Sequence, residues 1–283
     1  MKEILEIINL GSQELKNRNI NTHRLDSEVL LSKILKKKRE DLLINLDKKV
    51  NLETIQNFKK FIRRRSNKEP IAYILEEKEF WSEIFFVNKN TLIPRPETEL
   101  LVEKVVSIFK KKKIYVLDIG TGSGCILLSI LKELKNSTGV GVDICQKAIQ
   151  NAIQNSIQHN LENRSKFFRK CVTDIYDYKF DLIVSNPPYI MKKDIKNLAD
   201  DIKKFEPKLA LDGGNDGLDV IRKVIYKSRS ILKKKGMLAL EIGNEQYKKV
   251  SKILSYNKFK TKFLVKDYKD NVRCIISTNE NLY

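Results

Sequence analysis

Histidine and cysteine are scarce in this sequence, with two His and four Cys among 283 residues. The cysteines, Cys125, Cys145, Cys171 and Cys274, form no CxxC pair, and His23 and His159 cannot build an HExxH or any zinc-ligand spacing. Reduced thiols and no bound metal are therefore expected. Long apolar runs are missing too, since none approaches the roughly 18 residues that would span a bilayer. The first ten residues carry Glu3 and Glu6 inside their apolar stretch and have no small-residue cleavage site, unlike a signal peptide. A cytoplasmic protein without a membrane partner follows as the expectation. Internal repeats are absent, and the only compositional bias is toward lysine.

A hydrophobic share of 41% beside a charged share of 32% fits a globular chain long enough for one large domain and one small one. The formal charge of +19 and pI near 9.6 are those of many proteins that bind nucleic acid. Most of the basic residues, however, are lysines spread along the chain. Runs such as Lys36-Lys37-Lys38-Arg39 and residues 110–113 and 233–235 fall at the edges of expected helices and strands, where solvated charge is ordinary. Compositional drift accounts for this charge slightly better than a selected patch, so a nucleic-acid partner is not required.

Residues 1–69 show only helical periodicity: Ile4, Leu5, Ile8 and Leu15, then Leu25, Val29, Leu30, Ile34 and Leu35, then Ile55, Phe58, Phe61 and Ile62. The spacing predicts a small helical bundle, with Asp26, Ser27 and Asn51 as helix caps. Residues 70–96 contain an aromatic and β-branched stretch, 79–87, that reads as a hairpin linker anchored by the sole tryptophan, Trp81. From residue 97 to 283 strands and helices alternate. Strands are expected at 114–119, 139–143, 166–170, 181–185 and 236–242, then two in succession at 260–265 and 272–277. That order predicts an α/β, Rossmann-like domain whose mostly parallel sheet ends in an antiparallel hairpin.

Three motifs in this domain carry chemistry. Asp118-Ile119-Gly120-Thr121-Gly122-Ser123-Gly124 links a strand to a helix, and its glycines let backbone approach a ligand closely. The spacing is GxGxG, without the GxGxxG of a dinucleotide site or a GK[ST], so the loop suits a ligand part with no phosphates, such as an amino-acid moiety. A glycine-rich turn with no ligand fits the same residues. Asp143 ends the next strand about 20 residues on, where a carboxylate can accept both hydroxyls of a ribose. It can equally cap the helix from Gln146, one oxygen capping and the other free. Asn186-Pro187-Pro188-Tyr189 follows the strand 181–185 at the carboxyl edge of the sheet. An amide nitrogen is a poor nucleophile, so a site acting on one must hold its two hydrogens. The Asn186 side-chain oxygen and the Pro187 carbonyl can accept them, the prolines stiffen the backbone, and Tyr189 offers a flat face.

GTGSG, Asp143 and the NPPY tetrad, in that order, resemble the class I S-adenosylmethionine methyltransferases. Ile93-Pro94-Arg95-Pro96-Glu97-Thr98-Glu99, Phe205-Glu206-Pro207 and Leu209-Ala210-Leu211-Asp212-Gly213-Gly214 narrow the resemblance to the glutamine N5-methyltransferases of peptide chain release factors, the HemK/PrmC family. The resemblance implies that Gly120, Thr121, Gly122, Ser123, Gly124 and Asp143, with Asn186, hold S-adenosyl-L-methionine. It implies a further cofactor contact just after Asp174, where the family often has an aromatic residue and this chain has Ile175. Asn186, Pro187, Pro188 and Tyr189 are then the catalytic set, receiving the glutamine of a release factor's GGQ loop, and the helical bundle docks the substrate protein. A monomer is expected. Glu76 departs from a position where relatives commonly carry Gly.

NPPY is shared with adenine-N6 nucleic-acid methyltransferases, which act on a flipped base. Between Tyr189 and the strand near Gly236, about forty residues with one expected helix leave no room for a target-recognition domain, since domains rarely fall below roughly 50 residues.

Overall fold

A computed structural model describes residues 2–176 and 179–280. The chain divides into two compact units, one of residues 1–77 with Ala199–Phe205, the other of Lys78–Leu198 with 206–283.

The first unit is helical, apart from two short paired strands, β1 (Lys2–Glu3) and β2 (Lys49–Val50). Its helices are α1 (Ile4–Asn17), α2 (His23–Leu35), α3 (Arg39–Leu43), α4 (Leu52–Ser66) and α5 (Ile71–Leu75). Ile4, Ile7, Ile8 and Leu15 of α1 meet Leu30 and Leu31 of α2 and Phe58 and Ile62 of α4 in one core. Asn51 caps α4, accepting from the Thr54 N–H at 2.8 Å. Asp26 and Ser27 are not caps. Helix α2 starts three residues before Asp26, and its buried stripe is largely polar while Leu25 is exposed. Asp26 pairs with Arg65 at 2.6 Å, Ser27 donates to the Ile8 carbonyl at 2.8 Å, and Glu28 takes Arg24 and Arg39. Apolar spacing alone misplaces this face because burial there is satisfied by pairing rather than by hydrophobicity.

Residues 70–76, expected in the linker, instead form α5 and its C-terminal cap. Glu76 occupies that cap with φ 58°, the left-handed region. This explains the preference for glycine there: a Cβ in that conformation crowds the following carbonyl.

The hairpin that follows pairs β3 (Glu77–Phe80) with β4 (Glu83–Phe86), joined by Trp81 and Ser82, both at positive φ, as a two-residue hairpin turn requires. The Trp81 indole donates to Glu133 at 2.8 Å and its backbone N–H to Glu99 at 2.9 Å, fastening the hairpin tip. The rest follows as α6 (Glu99–Phe109), β5 (Tyr115–Ile119), α7 (Cys125–Glu133), β6 (Thr138–Asp143), α8 (Gln146–Gln158), β7 (Ser165–Arg169) and β8 (Phe180–Ser185). After α9 (Asp200–Phe205), which belongs to the first unit, come α10 (Asp219–Ile231), β9 (Leu232–Glu241), α11 (Tyr247–Tyr256), β10 (Phe259–Lys266) and β11 (Val272–Asn279). Two helices, not one, therefore lie between Tyr189 and Gly236.

Seven strands form one sheet in the order β10-β11-β9-β8-β5-β6-β7. The five from β9 to β7 are parallel, and β11 and β10 complete the sheet antiparallel, as the terminal hairpin predicts. Apolar side chains of α6 and α7 cover one face, and those of α10 and α11 the other. Strand β5 sits between β6 and β8, so the chain leaves its carboxyl end one way and returns at β8 on the other side. Such a switch point opens a crevice at the carboxyl edge.

The left-handed Glu76 gives a direct test. Glu76→Gly is expected to stabilise the first unit by about 0.5–1 kcal/mol, read as a higher urea midpoint with unchanged slope.

Candidate active site

The loop after β5 takes its shape from three left-handed glycines, Gly120 (φ 74°), Gly122 (φ 55°) and Gly124 (φ 81°). Gly120 and Thr121 both donate to the Val142 carbonyl, at 2.9 and 3.0 Å, which ties the loop to β6. A Cβ added at Gly120 or Gly122 would meet no atom within 4 Å, so the loop faces open space there. Side chains at these positions are disfavoured by the backbone conformation.

Two carboxylates hold this loop. Asp143 at the end of β6 accepts from the Gly122 N–H at 3.0 Å through one oxygen and from the Cys145 N–H at 2.9 Å through the other. Neither oxygen is wholly free, contrary to the simple capping picture, yet each keeps one lone pair for a hydroxyl. Burial raises the carboxyl of Asp143 above its usual range, and these backbone donors pull the other way. Asp118, at the end of β5, is fully buried. Its Oδ2 accepts from the Thr121 hydroxyl at 2.7 Å, whereas Oδ1 has no hydrogen-bond partner among the described residues. Burial lifts this carboxyl to about 7. A buried acceptor with an unused oxygen marks a place for a donor or a cation.

Ile175 follows the single turn Val172–Asp174. It is buried against the sheet and lines a hollow of about 280 Å³ with Tyr115, Leu117, Val142 and Phe168 among others.

Across the switch point, the tetrad leaves β8 with Ser185 donating to the Ile119 carbonyl at 2.6 Å, which locks the starts of the two loops together. Pro187 is buried, and Asn186, Pro188 and Tyr189 are partly exposed. The Asn186 amide nitrogen donates to the Thr98 hydroxyl at 3.2 Å, and that hydroxyl donates to Glu241 Oε2 at 2.7 Å. Glu241 ends β9 with no exposure, and Arg273 on β11 lies 4.0 Å from its other oxygen. The Tyr189 hydroxyl accepts from Arg273 at 3.5 Å, and burial raises its pKa.

Gln246, at the start of α11, donates to the carbonyls of Tyr189 and Gly217 at 3.0 and 3.2 Å. Its own oxygen accepts from the Gly243 N–H at 2.9 Å. Arg95 of the IPRPETE segment reaches Glu206, a buried carboxylate, at 2.6 Å. Sequence reasoning missed Asp118, Glu241, Gln246 and Arg273. The available signal was an acid near the carboxyl end of β5 and another at the carboxyl end of β9, each after a short apolar run.

Comparison with known proteins settles the family. Residues 6–75 match the family described as "PrmC N-terminal domain" and residues 96–205 the family described as "Methyltransferase small domain". A protein of Fusobacterium nucleatum named "Release factor glutamine methyltransferase" is 38% identical over 98% of this chain and 79% of its own length. One of the same name from Clostridium acetobutylicum is 38% identical over 95% of each chain. The chain belongs to the release factor glutamine methyltransferase family. The solved structure "Methyltransferase from Pyrococcus furiosus" shares the fold, with a TM-score of 0.52 and 14% identity over 70% of this chain and 89% of that one. The Gly120–Gly124 loop, Asp143 and the tetrad all fall within the second of these matches. The chain is accordingly a methyltransferase with a Rossmann-like fold.

The buried Asp118 makes unliganded stability depend on pH. Its folded-state pKa is raised, so its protonated form is favoured in the folded protein, and stability falls as pH rises from about 4 toward 7, by roughly 4 kcal/mol at most. Asp118→Asn is expected to remove that loss. Urea unfolding of both proteins at pH 5 and pH 8 measures it, and equal pH dependence would refute the assignment.

Proposed function

We propose that this protein transfers a methyl group from S-adenosyl-L-methionine to the side-chain amide nitrogen, N5, of the glutamine in the GGQ motif of peptide chain release factors. The observation that carries the reading is full-length likeness to proteins named for release factor glutamine methylation, combined with the tetrad at the switch-point crevice. Adenine in nucleic acid is the weaker acceptor, because the likeness along nearly the whole chain is to proteins named for release factor glutamine methylation.

The residues at the crevice fit the cofactor. Open space above Gly120 and Gly122 admits its amino-acid end, and the unpartnered Asp118 oxygen matches an ammonium group. The lone pairs left on Asp143 match the two ribose hydroxyls, and Ile175 serves as an apolar neighbour of the adenine. When bound, the sulfonium supplies an electrophilic methyl carbon, and no metal is invoked for it.

The chain's own residues then have to present a nitrogen whose lone pair is delocalised into a carbonyl. Asn186 Oδ1 and the Pro187 carbonyl accept its two hydrogens, which aims the nitrogen, while Pro188 stiffens the turn and Tyr189 lies along the planar group. Each hydrogen bond contributes only about 1 kcal/mol net, whereas orientation can contribute up to roughly 7–11 kcal/mol. Positioning therefore carries the acceleration. The helical first unit docks the body of the release factor, and the protein works as a cytoplasmic monomer with no nucleic acid required.

Incubation with labelled S-adenosylmethionine and either release factor or DNA tests the reading. Label on the GGQ glutamine is expected, and label on adenine overturns it. Asn186→Ala is expected to lower kcat/KM by roughly a hundredfold or more while cofactor affinity stays within about threefold. Equal loss of both would remove Asn186 from its role in aiming the acceptor.

A further inference from the structure

A carboxamide is nearly symmetric in shape, so Asn186 can sit in either of two orientations related by a half-turn, and only one of them is useful. With the oxygen toward the acceptor, Asn186 receives an amide hydrogen. With the NH2 toward it, two donors face each other. Nothing within the tetrad itself selects between the two.

The structure contains the selector. The Thr98 hydroxyl has one hydrogen, and it is given to Glu241 Oε2 at 2.7 Å. Its lone pairs remain, and at 3.2 Å they accept only the NH2 edge of Asn186, so Oδ1 is turned away from Thr98. We propose that Thr98 and Glu241 are positioning residues for the acceptor amide: a buried carboxylate, acting through one hydroxyl, fixes which edge of Asn186 faces the substrate. This rests on the reading that Asn186 receives the glutamine amide.

Glu241 is an expensive way to build a core. It is fully buried, and its Oε1 has no hydrogen-bond partner among the described residues. Leaving such an oxygen unsatisfied costs more than an apolar side chain would. Its retention has a purpose if the charge is needed as an acceptor only, since a carboxylate cannot donate to Thr98 and so cannot let the relay reverse. A protonated acid or a carboxamide can. Arg273 on β11 faces Glu241 and favours its charged form, and Glu97, before α6, opposes it. Tyr189 and Thr98 also face it, and burial raises its pKa overall. Protonation would present an O–H to Thr98, turn the threonine hydrogen toward Asn186, and flip the carboxamide. The wild-type enzyme therefore loses kcat/KM on the acid side through Glu241.

The test compares Thr98→Val, Thr98→Ser and Glu241→Gln, each full length, with a release factor as acceptor. Thr98→Val and Glu241→Gln are expected to lower kcat/KM by roughly ten- to a hundredfold with cofactor affinity within about twofold of wild type. Thr98→Ser should recover to within about threefold, and Glu241→Gln should flatten the acid limb of the pH profile. A second readout needs no turnover: the Asn186 side-chain amide protons are protected from solvent exchange in the wild type and lose that protection in Thr98→Val. The relay is wrong if Thr98→Val is as active and as protected as wild type, or if Thr98→Ser is as slow as Thr98→Val. It is also wrong if cofactor affinity falls in step with activity. Wild-type enzyme that leaves the glutamine unlabelled refutes the functional reading instead, and the exchange measurement still decides the relay.

Discussion

Strands β5 and β8 lie side by side and parallel, and the connections that leave them run to opposite sides of the sheet. Backbone that parts in this way cannot be hydrogen-bonded across the gap, so the carboxyl edge is open at one place. The glycine loop follows β5 and the tetrad follows β8. Their separation is set by a single buried bond, from the Ser185 hydroxyl to the Ile119 carbonyl, and by the ladder beneath it. The glycine loop and the tetrad are thus brought to one crevice before any side chain has a role.

Polar groups with incomplete partners then give the crevice its character. Asp118 and Glu241 end neighbouring parts of the same sheet, one on β5 and one on β9, each with no exposure and each with one oxygen unsatisfied. In a protein core this pattern runs against stability, because burial disfavours the charged form of each. The two acids do different things. Asp118 holds the Thr121 hydroxyl of the glycine loop and keeps a buried oxygen without a partner, and Glu241 holds the Thr98 hydroxyl, whose oxygen accepts from Asn186. Gln246 completes the arrangement by tethering the carbonyls of Tyr189 and Gly217, so the end of the tetrad and the loop before α10 share one anchor.

Much of this was legible in the sequence, and the reason differs from place to place. The central parallel strands of the large sheet were recognisable because a strand buried on both faces must be largely apolar, as Leu182, Ile183 and Val184 show. The placement of Gly120, Asp143 and Asn186 at the carboxyl edge of the sheet was legible because each ends or directly follows an apolar strand. Helix α2 was misjudged at Asp26 and Ser27, where the buried groups are polar and find their partners in other helices, Asp26 with Arg65, 39 residues away. The departure at Glu76 was visible as a residue type, but only its φ of 58° explains it. Thr98, Glu241 and Arg273 lie far apart in the chain: the pairing of β9 with β11, which places Cys274 opposite Glu241, brings Arg273 near, and Thr98 reaches Glu241 from the turn before α6. No local pattern encodes such a meeting.

The contact between Thr98 and Glu241 closes a span of 143 residues, and that between Arg95 and Glu206 a span of 111. Contacts of such separation form late, after the entropy of closing the intervening chain has been met by nearer ones. During synthesis the glycine loop and the tetrad leave the ribosome well before β9 and β11 can pair. The geometry that orients Asn186 is therefore acquired near the end of folding, and an incompletely folded chain carries the motifs of the enzyme without its aim.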